Sequence, residues 1–251
     1  MTHVPLLITA GLAVGAIYGL FGVGSAVATP VLALLGVPGM SAVVGPLPAL
    51  LPGSAAGAWS YARGGKVDWV VARRTLAGAV PAAILGALAS QVVGAPVLLV
   101  LSGIVLLATG VRVLNSTPGA LAGPRAEARR ASAPFVILVA AAIGFAAGLL
   151  ANGGGFLLVP LFLLVLGLDL NEAAGTSLVV AVAVSAPTLA THVLLGDLDL
   201  AIAGVFALGL IPGVVAGSQL AQRIASGRLR VAFGGFLVVF AAWFLARQVM
   251  G

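Results

Sequence analysis

The residues able to do chemistry in this chain are few and mostly uncharged. There is no cysteine, which removes thiolate catalysis, disulfides and Cys-based metal sites, and the two histidines, His3 and His192, are far apart in sequence. No Asp, Glu, Lys or Arg falls in the middle of an apolar run, so the ionisable groups that mark many proton and cation pathways in membranes are missing. What remains are two glycine clusters with small polar neighbours. The first holds Gly22, Gly24, Ser25 and Thr29, and the second Asn152, Gly153, Gly154 and Gly155. Each interrupts an apolar stretch and so starts a new, short helical piece. A helix start presents unpaired N–H groups and about half a unit of positive charge. Two such starts facing one another would hold an anion without a single Lys or Arg, and glycine lets a ligand approach the backbone closely. The competing reading is that these glycines only permit close helix packing.

The elements that must position these clusters follow from composition. The chain is 61% hydrophobic and 7% charged, against about 25% charged in a soluble domain. It is therefore expected to be an all-α polytopic membrane protein with the lipid bilayer as its solvent. The twelve basic residues outnumber the six acidic ones, yet they sit in short clusters between apolar runs and form no nucleic-acid-binding stripe. A span needs about 20 mainly apolar residues. Six stretches meet this, at 42–62, 71–93, 96–113, 173–194, 200–222 and 229–248. Residues 4–36 and 133–167 are longer and broken at the glycines. The run from Val4 has no preceding Lys or Arg, so it reads as part of the mature fold and not as a secretory signal.

A shift of 131 positions lays the second half on the first: Gly22 on Gly153, Gly24 on Gly155, Ser54 on Ser185, Asp68 on Asp199, Pro81 on Pro212 and Gln91 on Gln222. This divides the chain into a first membrane repeat over 1–114, a linker over 115–132 and a second repeat over 133–251. The loop holding Arg63, Lys66, Arg73 and Arg74 is basic while its counterpart around 196–199 carries no cation, and the loop at 94–96 is uncharged while its counterpart at 223–230 carries three Arg. The positive-inside rule then gives the halves opposite orientations. Each repeat is expected to be a glycine-broken re-entrant hairpin plus three transmembrane helices, with both termini outside and the linker cytoplasmic. Pro81 and Pro212, near mid-span, would kink their helices and act as hinges or shape a cavity. Ser54 and Ser185 would either line that cavity or bond their own helix backbone. Asp68 and Asp199 read as N-caps, and His192 as an interfacial histidine. No nucleophile elbow with His and Asp partners and no Walker motif is present, so no enzyme activity and no cofactor is expected.

Two runs, Gly19-Leu-Phe-Gly-Val-Gly-Ser-Ala-Val-Ala-Thr-Pro30 and Gly148-Leu-Leu-Ala-Asn-Gly-Gly-Gly-Phe-Leu-Leu-Val-Pro160, resemble the first and second repeats of the sulfite exporter TauE/SafE family. The first departs from the doubled-glycine pattern, with Val23 and Ser25 around its break where Gly153 and Gly154 flank the second. The resemblance covers essentially the whole chain. It implies a bacterial inner-membrane permease for sulfite, sulfonates or related organic acids, with the site on Gly22, Gly24, Ser25, Asn152, Gly153, Gly154 and Gly155, and Thr29, Pro30 and Pro160 as helix neighbours. The expected activity is alternating-access transport of a small anionic solute, one half rocking against the other. A passive anion channel and a non-transporting membrane scaffold are the alternatives, and a homo-oligomer is left open.

Overall fold

The structure is a computed structural model describing residues 4–37, 39–90, 92, 95–115, 132–149, 155–164, 166–195 and 200–250. Among these every regular element is a helix: α1 Val4–Phe21, α2 Gly24–Leu34, α3 Gly39–Val44, α4 Leu47–Arg63, α5 Trp69–Ala89, α6 Ala95–Asn115, α7 Ala133–Leu149, α8 Gly155–Leu164, α9 Leu170–Leu195, α10 Leu200–Ala221 and α11 Ser226–Met250. Five of them, α1, α5, α9, α10 and α11, are long and apolar enough to cross a membrane. The protein is a multi-pass membrane protein.

Local chemistry sets the ends. Asp68 caps α5, its carboxylate accepting from the N–H groups of Val70 at 2.9 Å and Val71 at 3.0 Å, as its position ahead of an apolar run predicts. Asp169 does the same for α9, accepting from the Glu172 N–H at 2.9 Å. Gly36 closes α2 in the left-handed region, φ +84°. The Val37 N–H returns to Leu32 O and the Gly36 N–H to Ala33 O, both at 3.1 Å, a Schellman closure that needs glycine at that position. The expected single span over 42–62 is instead two helices, α3 and α4, because Gly45-Pro46 interrupts it. Residues 116–131, most of the linker, and the Asp199 cap lie outside the described residues.

The bundle is assembled by glycine. Gly11, Gly15 and Gly19 of α1 lie directly on the backbone carbonyls of Phe206, Leu210 and Val214 in α10. In return Gly209, Gly213 and Gly217 of α10 lie on the carbonyls of Ile8, Leu12 and Ala16. The numbers rise together, so α1 and α10 run parallel. The same arrangement joins α5 to α7: Gly78 and Gly86 lie on Ile137 and Phe145 O, and Gly144 and Gly148 on Ala79 and Ala83 O. Lipid offers no hydrophobic drive for helix association, so close backbone approach through small residues supplies the packing.

These contacts map onto one another. Gly78 and Gly209 differ by the expected 131 positions, but their partners Ile137 and Ile8 differ by 129. Helices α1 and α7 are therefore offset by two positions from the ungapped 131-residue register. Around these pairs, α4 runs antiparallel to α9, with Gly57 against Leu178 and Tyr61 against Gly175. Helix α6 runs antiparallel to α11, with Gly103 against Leu245 and Gly110 against Leu237. Phe21, Phe233, Phe236, Phe240 and Phe244 add a ladder of ring contacts at 5.3–6.3 Å between centroids.

Candidate functional site

The first glycine break is a buried turn. Helix α1 ends at Phe21, Gly22 takes φ +74°, and α2 starts at Gly24. Gly22 faces Ser177 and Ala174 of α9 and Val159 of α8, and Gly24 packs directly on the Tyr18 side chain. Positive φ and the lack of room make both positions glycine sites for backbone reasons.

The two helix ends at this break are treated differently. The carbonyls closing α1 have a donor: the Tyr61 hydroxyl of α4 donates to Gly19 O at 2.8 Å and reaches Leu20 O at 3.4 Å. Val23, which precedes α2, is fully buried and supplies no side-chain cap to the N–H groups opening the helix. A helix start whose preceding residue brings no cap has backbone donors to offer to other groups, and it carries the positive end of the helix dipole. Thr29 is buried one turn further along α2, while the Ser25 side chain lies outside the described residues.

The break is not at mid-depth. Ala174 and Ser177 belong to the first two turns of α9, and Tyr61 to the last turn of α4. Helix α1, at 18 residues, covers about 27 Å before turning, so the turn comes near the end of the bundle where α4 links to α5. Asn152, Gly153 and Gly154 lie outside the described residues, and Gly155 opens α8 just after them. Since Val159 of α8 touches Gly22, the structure brings the second short helix against the first break.

The remaining candidates separate into two groups. Ser54 and Ser185 are fully buried. Ser54 bonds its own helix, donating to Leu51 O at 2.9 Å, whereas the Ser185 hydroxyl has no hydrogen-bond partner. Pro81 and Pro212 lie inside α5 and α10 but are exposed, so they line no interior surface. Gln222, just beyond α10, donates to Ser218 O at 3.0 Å and to Ser60 at 3.3 Å, and Gln91 lies outside the described residues.

Four residues were not picked out by sequence reasoning, or were misplaced by it. Tyr18 is fully buried, and its hydroxyl lies against Ser54 without closing a well-formed hydrogen bond. Its signal was position: an aromatic hydroxyl one turn before a glycine break. Tyr61 carried the same kind of signal near the end of α4. Glu172 is buried in the first turn of α9, and the Asp-Leu-Asn-Glu spacing of a capping box could have flagged it. His192, expected at the interface, is fully buried: α9 runs 26 residues, longer than the expected span, and carries it inside the bundle.

Among the described residues, no three His, Cys, Asp or Glu side chains assemble as a metal site. The arrangement can donate hydrogen bonds from a helix start, offer hydroxyls and exclude water. The family model described as Sulfite exporter TauE/SafE matches residues 7–244. No curated protein and no solved structure matches the chain.

Proposed function

The chain belongs to the sulfite exporter TauE/SafE family, and from that premise we propose that it is a secondary transporter for a small anion, sulfite or an organosulfonate by preference, working by alternating access. The observation that carries this reading is the uncapped, buried start of α2 at Gly22–Gly24. It supplies positive potential inside an apolar bundle with no intramembrane cation. Taking an anion from water into such a place is costly unless it is hydrogen-bonded, and backbone N–H groups provide those bonds at fixed positions. In this reading Asn152, Gly153, Gly154 and Gly155 do at the second break what Gly22, Gly24, Ser25 and Thr29 do at the first.

The test is flux of sulfite, and of a short alkyl sulfonate, from proteoliposomes holding the full chain. The wild type should give saturable exchange. Asn152→Leu combined with Gly154→Leu should lower flux at least about tenfold, the effect of losing about 1.4 kcal/mol of anion binding. Undiminished flux in that variant would dismiss the site, and unitary currents would replace the carrier with a channel.

We further read the two repeats as inverted, each with a re-entrant hairpin, both termini outside and the linker cytoplasmic in a bacterial inner membrane. The antiparallel pairings of α4 with α9 and of α6 with α11, each joining equivalent elements of the two halves, support this. The chain has no cysteine, so single cysteines report cleanly. Gly64→Cys and Leu195→Cys should be labelled from opposite sides by an impermeant maleimide; labelling from the same side would overturn the inverted arrangement.

A further inference from the structure

We propose that the trough between α4, the start of α5 and α9 is a binding site for an anionic phospholipid, its acyl chain in the trough and its headgroup held by Arg63, Lys66 and Arg73. This does not depend on which solute the protein carries.

The trough is built by size differences along α4. Ala55, Ala58 and Ala62 are small, so the surface dips beside them, and Val179 and Val182 of α9 form the opposite wall. Trp59 and Trp69 stand at the sides, 63% and 53% exposed. The space is about 300 Å³ and almost wholly apolar. It extends about two helical turns, roughly 10 Å, from Ala62 toward Ala55. An open apolar channel of that width and length on a membrane-facing surface suits an acyl chain.

The charge above it selects the headgroup. The trough ends at the α4–α5 link, where indole rings also mark the headgroup level of a bilayer. The Arg63 guanidinium lies 4.7 Å from the centre of the Trp59 ring, a cation–π contact that holds it at the trough's rim. Arg73, exposed one turn into α5, donates from Nε to Trp69 O at 3.2 Å, which holds it beside the second indole. Lys66 sits in the link between them. The acid in the same link, Asp68, is turned to its own helix as the α5 cap. Two arginines at the rim, with Lys66 in the same link, complement a phosphate that carries net negative charge. A zwitterionic headgroup, with its own cation, would gain less.

The experiment uses the fluorescence of the chain's own tryptophans, Trp59, Trp69 and Trp243. Trp243→Phe leaves only the two at the trough. The full-length variant is placed in phosphatidylcholine nanodiscs doped with phosphatidylglycerol or with phosphatidylcholine brominated in the acyl chains, which quench indole on contact. Brominated phosphatidylglycerol should quench at several-fold lower content than the brominated zwitterionic lipid. Adding Arg63→Gln and Arg73→Gln should remove most of that preference, each cation being worth about fivefold near an anionic lipid. High salt should weaken it as well. Both arginines are exposed, and the size-exclusion profile of the double variant checks that it remains folded. Equal quenching by the two lipids, or a preference that survives loss of the arginines, overturns the proposal. Protection from both lipids, with disulfide crosslinking between copies through Ala62→Cys, overturns it in favour of a second copy of the chain.

Discussion

Gly15→Leu should leave almost no folded protein in detergent, while Gly204→Leu, on the partner helix α10, should behave as the wild type. Gly15 lies against the backbone of Leu210, with the carbonyl oxygen, carbonyl carbon and Cα all close to where a side chain would begin. None of these atoms can rotate away, so α1 and α10 must separate by an ångström or more. The separation would not stay local. Gly11 and Gly19 on the same face, and Gly209, Gly213 and Gly217 on the other, all rest on opposing carbonyls, and each would lose that contact. Overpacking a tight site costs about 1–3 kcal/mol and more when backbone must move. A loss at the upper end would consume much of a domain's total stability of about 5–15 kcal/mol. Gly204 has nothing within 4 Å of the position of a new Cβ and is exposed, so leucine there adds only apolar surface toward lipid. Thermal unfolding followed by size-exclusion chromatography separates the two. Equal midpoints would mean that the α1–α10 contact does not hold the bundle together.

Gly22→Ala should abolish anion flux, or cut it more than about tenfold, in protein that still purifies as a folded species. Two costs add. The left-handed backbone at φ +74° is unfavourable for alanine by about 1–2 kcal/mol. The new methyl would also lie 2.5 Å from the Ser177 hydroxyl oxygen and 3.1 Å from Ala174 Cα. The serine can turn, though only by giving up its bond to Ala174 O at 2.8 Å, but the Cα cannot. The strain therefore falls on the turn that aims the α2 N–H groups. Gly36→Ala is the matched control: φ is +84° but nothing lies within 4 Å. It should show the backbone penalty in its melting temperature and keep its flux. If both variants transport equally, the break is a packing turn and holds no solute.

The breaks themselves were legible because glycine and hydropathy act locally. Gly22 and Gly155 separate helices where an interrupted apolar run said they would, and Asp68 caps α5 because a carboxylate ahead of an apolar run has few other uses. The split of 42–62 at Gly45-Pro46 was equally local and was missed only because the surrounding residues stay apolar. What could not be read was which helix touches which. The four-residue spacing of Gly11, Gly15 and Gly19, and of Gly209, Gly213 and Gly217, signalled two contact faces without saying that they face one another. The two-position offset between the first helices stayed hidden because an ungapped comparison forces one register on both halves. Burial of Tyr18, Glu172 and His192 is a property of three-dimensional neighbours: each is on the packed face of its helix, with Val193 and Leu194 beside His192 exposed, and apolar composition alone does not say which face that is. At the site, the uncapped start of α2 was anticipated, whereas the Tyr61 hydroxyl closing the end of α1 came from a residue some forty positions away.

The glycine-seated pairs join helices from opposite sides of the linker: α1 is seated on α10, and α5 on α7. A swing of α1–α6 past α7–α11 would have to pull both pairs apart at their tightest contacts. The most tightly seated parts of the fold are therefore two mixed units, one around α1 and α10 and the other around α5 and α7, with the seam between them running through α4 and α9. Severing the linker would not free two movable lobes, because each already holds the other's first helix.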